Sequence, residues 1–141
     1  MKLPVSNIVA LFNILNRAKL TAMSSADKFK VIGILRVLRP VGNEWNEFVE
    51  DAKRRLAPDD ADELQELQRK LEGLEHSERR RVRAAFEEWQ SRLDECLAAA
   101  VVEEKDISIE AIGESGVIAL MDSNPEWSAS EIELVDSILN P

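Results

Sequence analysis

From Asp122 to Glu133 the chain carries oxygen-bearing side chains at the six ligand positions of an EF-hand spacing: Asp122, Asn124, Glu126, Ser128, Ser130 and Glu133. That donor set is the chemistry of a calcium loop, but the backbone pattern opposes it. The sixth position, which has to turn sharply and is normally glycine, is Trp127, and Pro125 stiffens the fourth. Ser128 and Glu131 also fit a simpler role, the N-terminal capping box of a helix. We therefore expect no metal ion here.

The other chemistry-bearing residues are sparse. His76 is the sole histidine and stands among charged residues, with no cysteine or second histidine near it to complete a metal site. It also has no evident nucleophile to serve as base. Cys96, the sole cysteine, is flanked by Leu93 and Leu97 and reads as a small buried hydrophobe. Asp59, Asp60, Asp62 and Glu63 cluster where a helix would start, and carboxylates are favoured at that end of the helix dipole. No residue is assigned a catalytic or cofactor-binding role, and the chain is expected to be non-enzymatic. The strongest ligand-binding signal is Arg79, Arg80, Arg81 and Arg83, with Lys53, Arg54 and Arg55 second. Four guanidinium groups so close together are suited to nucleic-acid phosphates.

These residues sit in a strongly helical pattern. Ser6 is a suitable cap for a helix over about residues 7–18, whose apolar face is Ile8, Leu11, Phe12 and Leu15. A second helix is predicted over 26–57, capped by Ser24 or Ser25. Val31, Leu35, Leu38, Gly42, Trp45, Val49, Ala52 and Leu56 follow one another along it at alternating steps of four and three. Pro40 interrupts that seam and predicts a kink or a break near 39–42, and Gly42 offers a place of close approach.

Ala57–Asp60 reads as a turn, after which Leu64, Leu67, Leu71 and Leu74 form a second seam antiparallel to the first. Val82, Phe86, Trp89, Leu93, Cys96 and Ala100 form a third. Either the chain runs as one helix through Glu75–Ser77, or Gly73 ends one helix and Ser77 caps another. Four arginines in a first turn would oppose the helix dipole, which favours the continuous helix, with Glu75–Arg79 and Arg83–Glu87 as surface pairs. Trp45 and Trp89 lie on these seams, where they fill the core of the hairpin or face another chain. Beyond Val102 we expect a short strand or extended arm at Asp106–Glu110, a brief helix at Val117–Met121, and a last helix capped by Ser128, with Trp127 stapled to Ile132.

Composition agrees with a mainly α protein. Of 141 residues, 45% are hydrophobic and 32% charged, while five Gly, five Pro and no Tyr give little support to a sheet-rich fold. The net charge of −9 is uneven: residues 1–57 hold ten Lys/Arg against five Asp/Glu, and residues 101–141 hold one against ten. The apolar runs are too short to span a bilayer, the N-terminus lacks a cleavage pattern, and a lone cysteine forms no internal disulfide. A cytoplasmic setting without membrane attachment follows as the expectation.

The two ends of the chain resemble a group of short phage- or prophage-encoded helical proteins of uncharacterised function. The resemblance rests on Met1-Lys2-Leu3 with Ile8, Leu11 and Leu15, on Lys28-Phe29-Lys30, and on Asn124–Ser128 leading into Glu131–Leu134. It implies a bacterial or phage cytosolic setting and a role in assembly or host takeover, and it transfers no functional residue.

The sequence thus predicts a single mainly α domain over 1–141. Its helical core would occupy 1–105, as an elongated antiparallel hairpin or irregular bundle, and 106–141 would form a small acidic C-terminal segment. The expected function is that of a helical interaction protein with a protein partner or a second copy of itself. The alternative is a nucleic-acid-associated regulator acting through Arg79, Arg80, Arg81 and Arg83.

Overall fold

A computed structural model describes residues Met1–Pro141. The fold is mainly α. Its elements in order are β1 (Lys2–Pro4), α1 (Val5–Asn16), α2 (Ser25–Arg55), α3 (Ala61–Arg69), a 3-10 turn (Leu71–Gly73), α4 (His76–Val101), β2 (Glu104–Asp106), α5 (Gly113–Ser123) and α6 (Ala129–Leu139). No helix is long and apolar enough to cross a membrane.

The chain forms two compact units, Met1–Trp45 with Val101–Pro141, and Asn46–Ala100. This differs from the expected division at 105/106. The acidic C-terminal segment is no appendage: Ile107, Ile112, Val117, Leu120, Val135, Ile138 and Leu139 share one core with Ile8, Leu11, Leu15, Val31, Ile34 and Leu38. The apolar face of α1 is too narrow to bury itself, and the apolar positions of α5 and α6 complete it.

In the first unit, β1 and β2 pair antiparallel, with Leu3 opposite Lys105. The strand at Lys2–Pro4 was not foreseen, and it moves the start of the first helix. α1 begins at Val5, after Pro4 in extended geometry, and Ser6 provides no cap. The first amide of the helix donates instead to the Glu103 carbonyl at 2.8 Å. The connection between α1 and α2 is held by two buried polar residues. Asn124 Oδ1 accepts the Lys19 amide at 2.8 Å, while its Nδ2 donates to the Lys19 and Leu120 carbonyls at 2.8 and 2.9 Å. Ser123 Oγ accepts the Ala22 amide at 2.8 Å and donates to the Ala119 carbonyl at 2.7 Å.

α2 starts with Ser24 Oγ accepting the Asp27 amide. It runs unbroken through Pro40, so a break at 39–42 does not occur. Pro40 lies on the exposed face, where the carbonyl that loses its partner is open to water. On the opposite face Gly42 is buried against Phe12: a Cβ at Gly42 would lie 2.7 Å from Phe12 Cδ1. The close approach suggested by this glycine is real, and its occupant is an aromatic ring. α5 opens at Gly113, whose φ of +72° suits a residue without a side chain, and so starts earlier than the expected Val117. α6 carries the predicted capping box of Ser128 and Glu131.

The second unit takes the last turns of α2, together with α3 and α4. The turn at Ala57–Asp60 falls where expected. The favoured continuous helix through Glu75–Ser77 does not form: α3 ends at Arg69, the 3-10 turn follows, and Leu74 is extended with ψ 155°. The dipole argument failed because the cations have local remedies. Arg79 Nε reaches back to the Leu74 carbonyl at 3.2 Å, and Glu78, in the first turn of α4, lies 3.9 Å from Arg81. The remaining cost, a few tenths of a kcal/mol per solvated cation, is too small to hold the helix together across Gly73.

Candidate functional site

α4 positions the arginine cluster, and the helical period splits it. His76, Arg79, Arg80, Arg83 and Glu87 recur at steps of three and four and line one shallow groove of about 390 Å³ together with Ala84. Arg81 points to another face and pairs with Glu78. Within the groove Arg80 Nη2 lies 2.8 Å from His76 Nε2, and Arg79 is committed to the Leu74 carbonyl. Of the four predicted residues, Arg83 alone makes no side-chain hydrogen bond or ion pair within the chain, and the Glu87 carboxylate lines the groove with it. That arrangement suits a single anionic group better than a run of phosphates.

Elsewhere the predicted chemistry is taken up by structure. Lys53 pairs with Glu50 at 3.4 Å, and Arg55 Nη2 lies 3.5 Å from Cys96 Sγ. Cys96 is partly buried, where a buried hydrophobe was expected, and its sulfur lies against a guanidinium. In the calcium-like stretch, Asn124 uses both ends of its amide on backbone groups, and Ser128 and Glu131 are joined in the capping box. No three His, Cys, Asp or Glu side chains are placed to hold a metal ion.

What the sequence reading missed is which apolar side chains stay exposed. In the second unit only Ala52, Leu64, Val82 and Leu93 are buried hydrophobics. Leu67, Leu71, Leu74, Phe86, Trp89 and Leu97 are partly buried. Phe86 and Trp89 stack with ring centroids 5.9 Å apart, and Trp89 Nε1 is shut off from water without a hydrogen-bond partner. In the first unit Phe29 is 73% exposed, with Ile32 beside it on the same face of α2. Their positions carried a signal: both are apolar residues off the Val31–Leu35–Leu38 stripe. Compared with known proteins, the chain matches no family model, no curated protein and no solved structure.

Proposed function

We propose that this protein is a non-enzymatic helical interaction module whose second unit offers an apolar face to a protein partner. The observation that carries this reading is that Leu67, Leu71, Leu74, Phe86, Trp89 and Leu97 stay only partly buried in a unit with four buried hydrophobics. Such side chains gain about 25 cal/mol for each Å² removed from water, and a partner helix would cover them. Tryptophan is a common anchor of interfaces because of its large apolar body. In the phage or prophage setting that the two chain ends resemble, such a module would serve assembly or engagement of a host protein.

The experiment is affinity capture with the wild-type chain beside Leu71→Glu and Trp89→Glu variants, each checked for helical content. A partner held by the wild type and lost with both variants is expected. Failure to recover any partner, or one retained by both variants, would overturn the reading.

A second reading rests on the shared groove of Arg79, Arg80 and Arg83. It assigns the chain to nucleic acid, and it requires salt-sensitive binding that weakens at least tenfold in an Arg80→Ala, Arg83→Ala double variant. The chain's net charge of −9 and Glu87 within the groove weigh against it.

A further inference from the structure

The first unit carries two exposed apolar surfaces of opposite charge, made from different residues. One lies on α2. Phe29 is 73% exposed, and Ile32, Arg36, Arg39 and Pro40 recur with it at helical spacing, all of them exposed. Neither Arg36 nor Arg39 has an ion-pair partner within the chain. The other is a groove of about 410 Å³ between α5 and α6. Val117, Met121 and Ile132 line it with Ile118, which is 49% exposed, and Glu114, Glu133 and Asp136 add three carboxylates. None of those carboxylates has a cationic partner either.

We propose that the occupant of the α5–α6 groove is the Phe29 face of a second copy of this chain. Each surface supplies what the other lacks. The α2 face brings an aromatic side chain flanked by two guanidinium groups without an anionic partner, and the groove brings an apolar floor flanked by carboxylates without a cationic one. Arginine suits such a rim because its planar fork can meet a carboxylate with two hydrogen bonds. The charges orient the encounter, and burial of Phe29 and Ile118 against each other's surroundings holds it. Because the two surfaces are different, the contact is heterologous: each copy keeps a free face and a free groove unless the assembly closes on itself. This inference is independent of the partner surface assigned to the second unit.

The test is sedimentation velocity on the full chain, on Phe29→Asp and on Ile118→Lys. Both positions are exposed, so the fold should tolerate either change, and circular dichroism with a thermal melt checks that it does. The wild type is expected to gain mass with concentration, and each variant alone to remain a single chain. Mixed one to one, Phe29→Asp supplies an intact groove and Ile118→Lys an intact face, so a discrete two-chain species should return. Raising the salt should weaken it several-fold without abolishing it.

A wild type that stays a single chain at every concentration would overturn the proposal. So would association unaffected by either variant, a result that leaves the second-unit reading standing. If Phe29→Asp alone dissociates the assembly, with Ile118→Lys behaving as wild type, the contact is between two Phe29 faces and the groove plays no part. Should either variant misfold, an Arg36→Glu, Arg39→Glu variant mixed with Glu133→Lys, Asp136→Lys poses the same question through charge alone: swapped rims must bind each other, and neither may bind itself.

Discussion

Asn124 closes on the backbone of Lys19 from both sides, its Oδ1 taking the amide N–H and its Nδ2 meeting the carbonyl, each at 2.8 Å. The two residues are 105 apart in the chain, so a single side chain takes the place of a β-bridge between the start of the α1–α2 connection and the end of α5. Asn124 is 1% exposed, so its own amide is satisfied within the chain. Asn124→Ala should therefore destabilise the protein by about 3 kcal/mol, since each buried group left unpaired costs about 1–3 kcal/mol. Chemical denaturation measures this directly, and a loss below about 1 kcal/mol would show that the latch contributes little.

Two glycines of α2 should respond to alanine with opposite signs. At Gly42 the added carbon meets the Phe12 ring at 2.7 Å, and overpacking of this kind costs about 1–3 kcal/mol. At Gly33 nothing lies within 4 Å of the added carbon, and the better helix propensity of alanine should stabilise by up to about 1 kcal/mol. Thermal melts of the two variants decide the matter. A Gly42→Ala protein as stable as Gly33→Ala would contradict the packing described.

Trp89→Phe should leave stability unchanged or slightly raised, within about 1 kcal/mol, because it deletes a buried N–H that has no acceptor in the chain and keeps an aromatic ring beside Phe86. Trp89→Ala removes the stack as well and should cost about 2 kcal/mol, less than a fully buried tryptophan would. Loss of stability in Trp89→Phe comparable with that of the Ala variant would count against an unpartnered indole.

Ser128→Ala should cost about 1 kcal/mol through loss of the cap on α6, which carries the buried Val135, Ile138 and Leu139. Glu131→Ala removes the reciprocal half of the same box, so the double variant should lose less than the two single losses combined. Additive losses in denaturant titrations would show that the two halves act separately.

The sequence carried the helices well, because each repeats its apolar residues with a period that survives any change of partner. The seam of α2 is an example: Val31, Leu38, Gly42 and Ala52 are buried as the four-three steps require. It failed where the decisive partner is remote. Lys2–Pro4 becomes a strand only through pairing with Glu104–Asp106, and no local feature announces that. Asn124 looked like a loop ligand because Lys19 is invisible from its neighbourhood. The separation of α3 from α4 was misjudged for a different reason: the argument from the helix dipole could not foresee that Arg79 returns to the Leu74 carbonyl and that Glu78 lies beside Arg81. In the arginine cluster the types were legible and the commitments were not. Only the structure reveals that Arg79 is held by a carbonyl and that Arg81 faces away from Arg80 and Arg83.

The first unit is assembled from both ends of the chain, with residues 46–100 placed between its halves. During translation this has a temporal cost. The apolar face of α1, Ile8, Leu11, Phe12 and Leu15, is made early, yet α6 is complete only at Leu139. At ribosomal speeds of about 5–20 residues per second, the nascent chain waits roughly 5–20 s between Trp45 and Leu139 with that face covered by α2 alone. The second unit is contiguous and is finished while the first is still incomplete. The fold that emerges last thus depends on residues synthesised first, and the interval between them is the period in which a nascent-chain chaperone, or a neighbouring nascent copy, has access to α1.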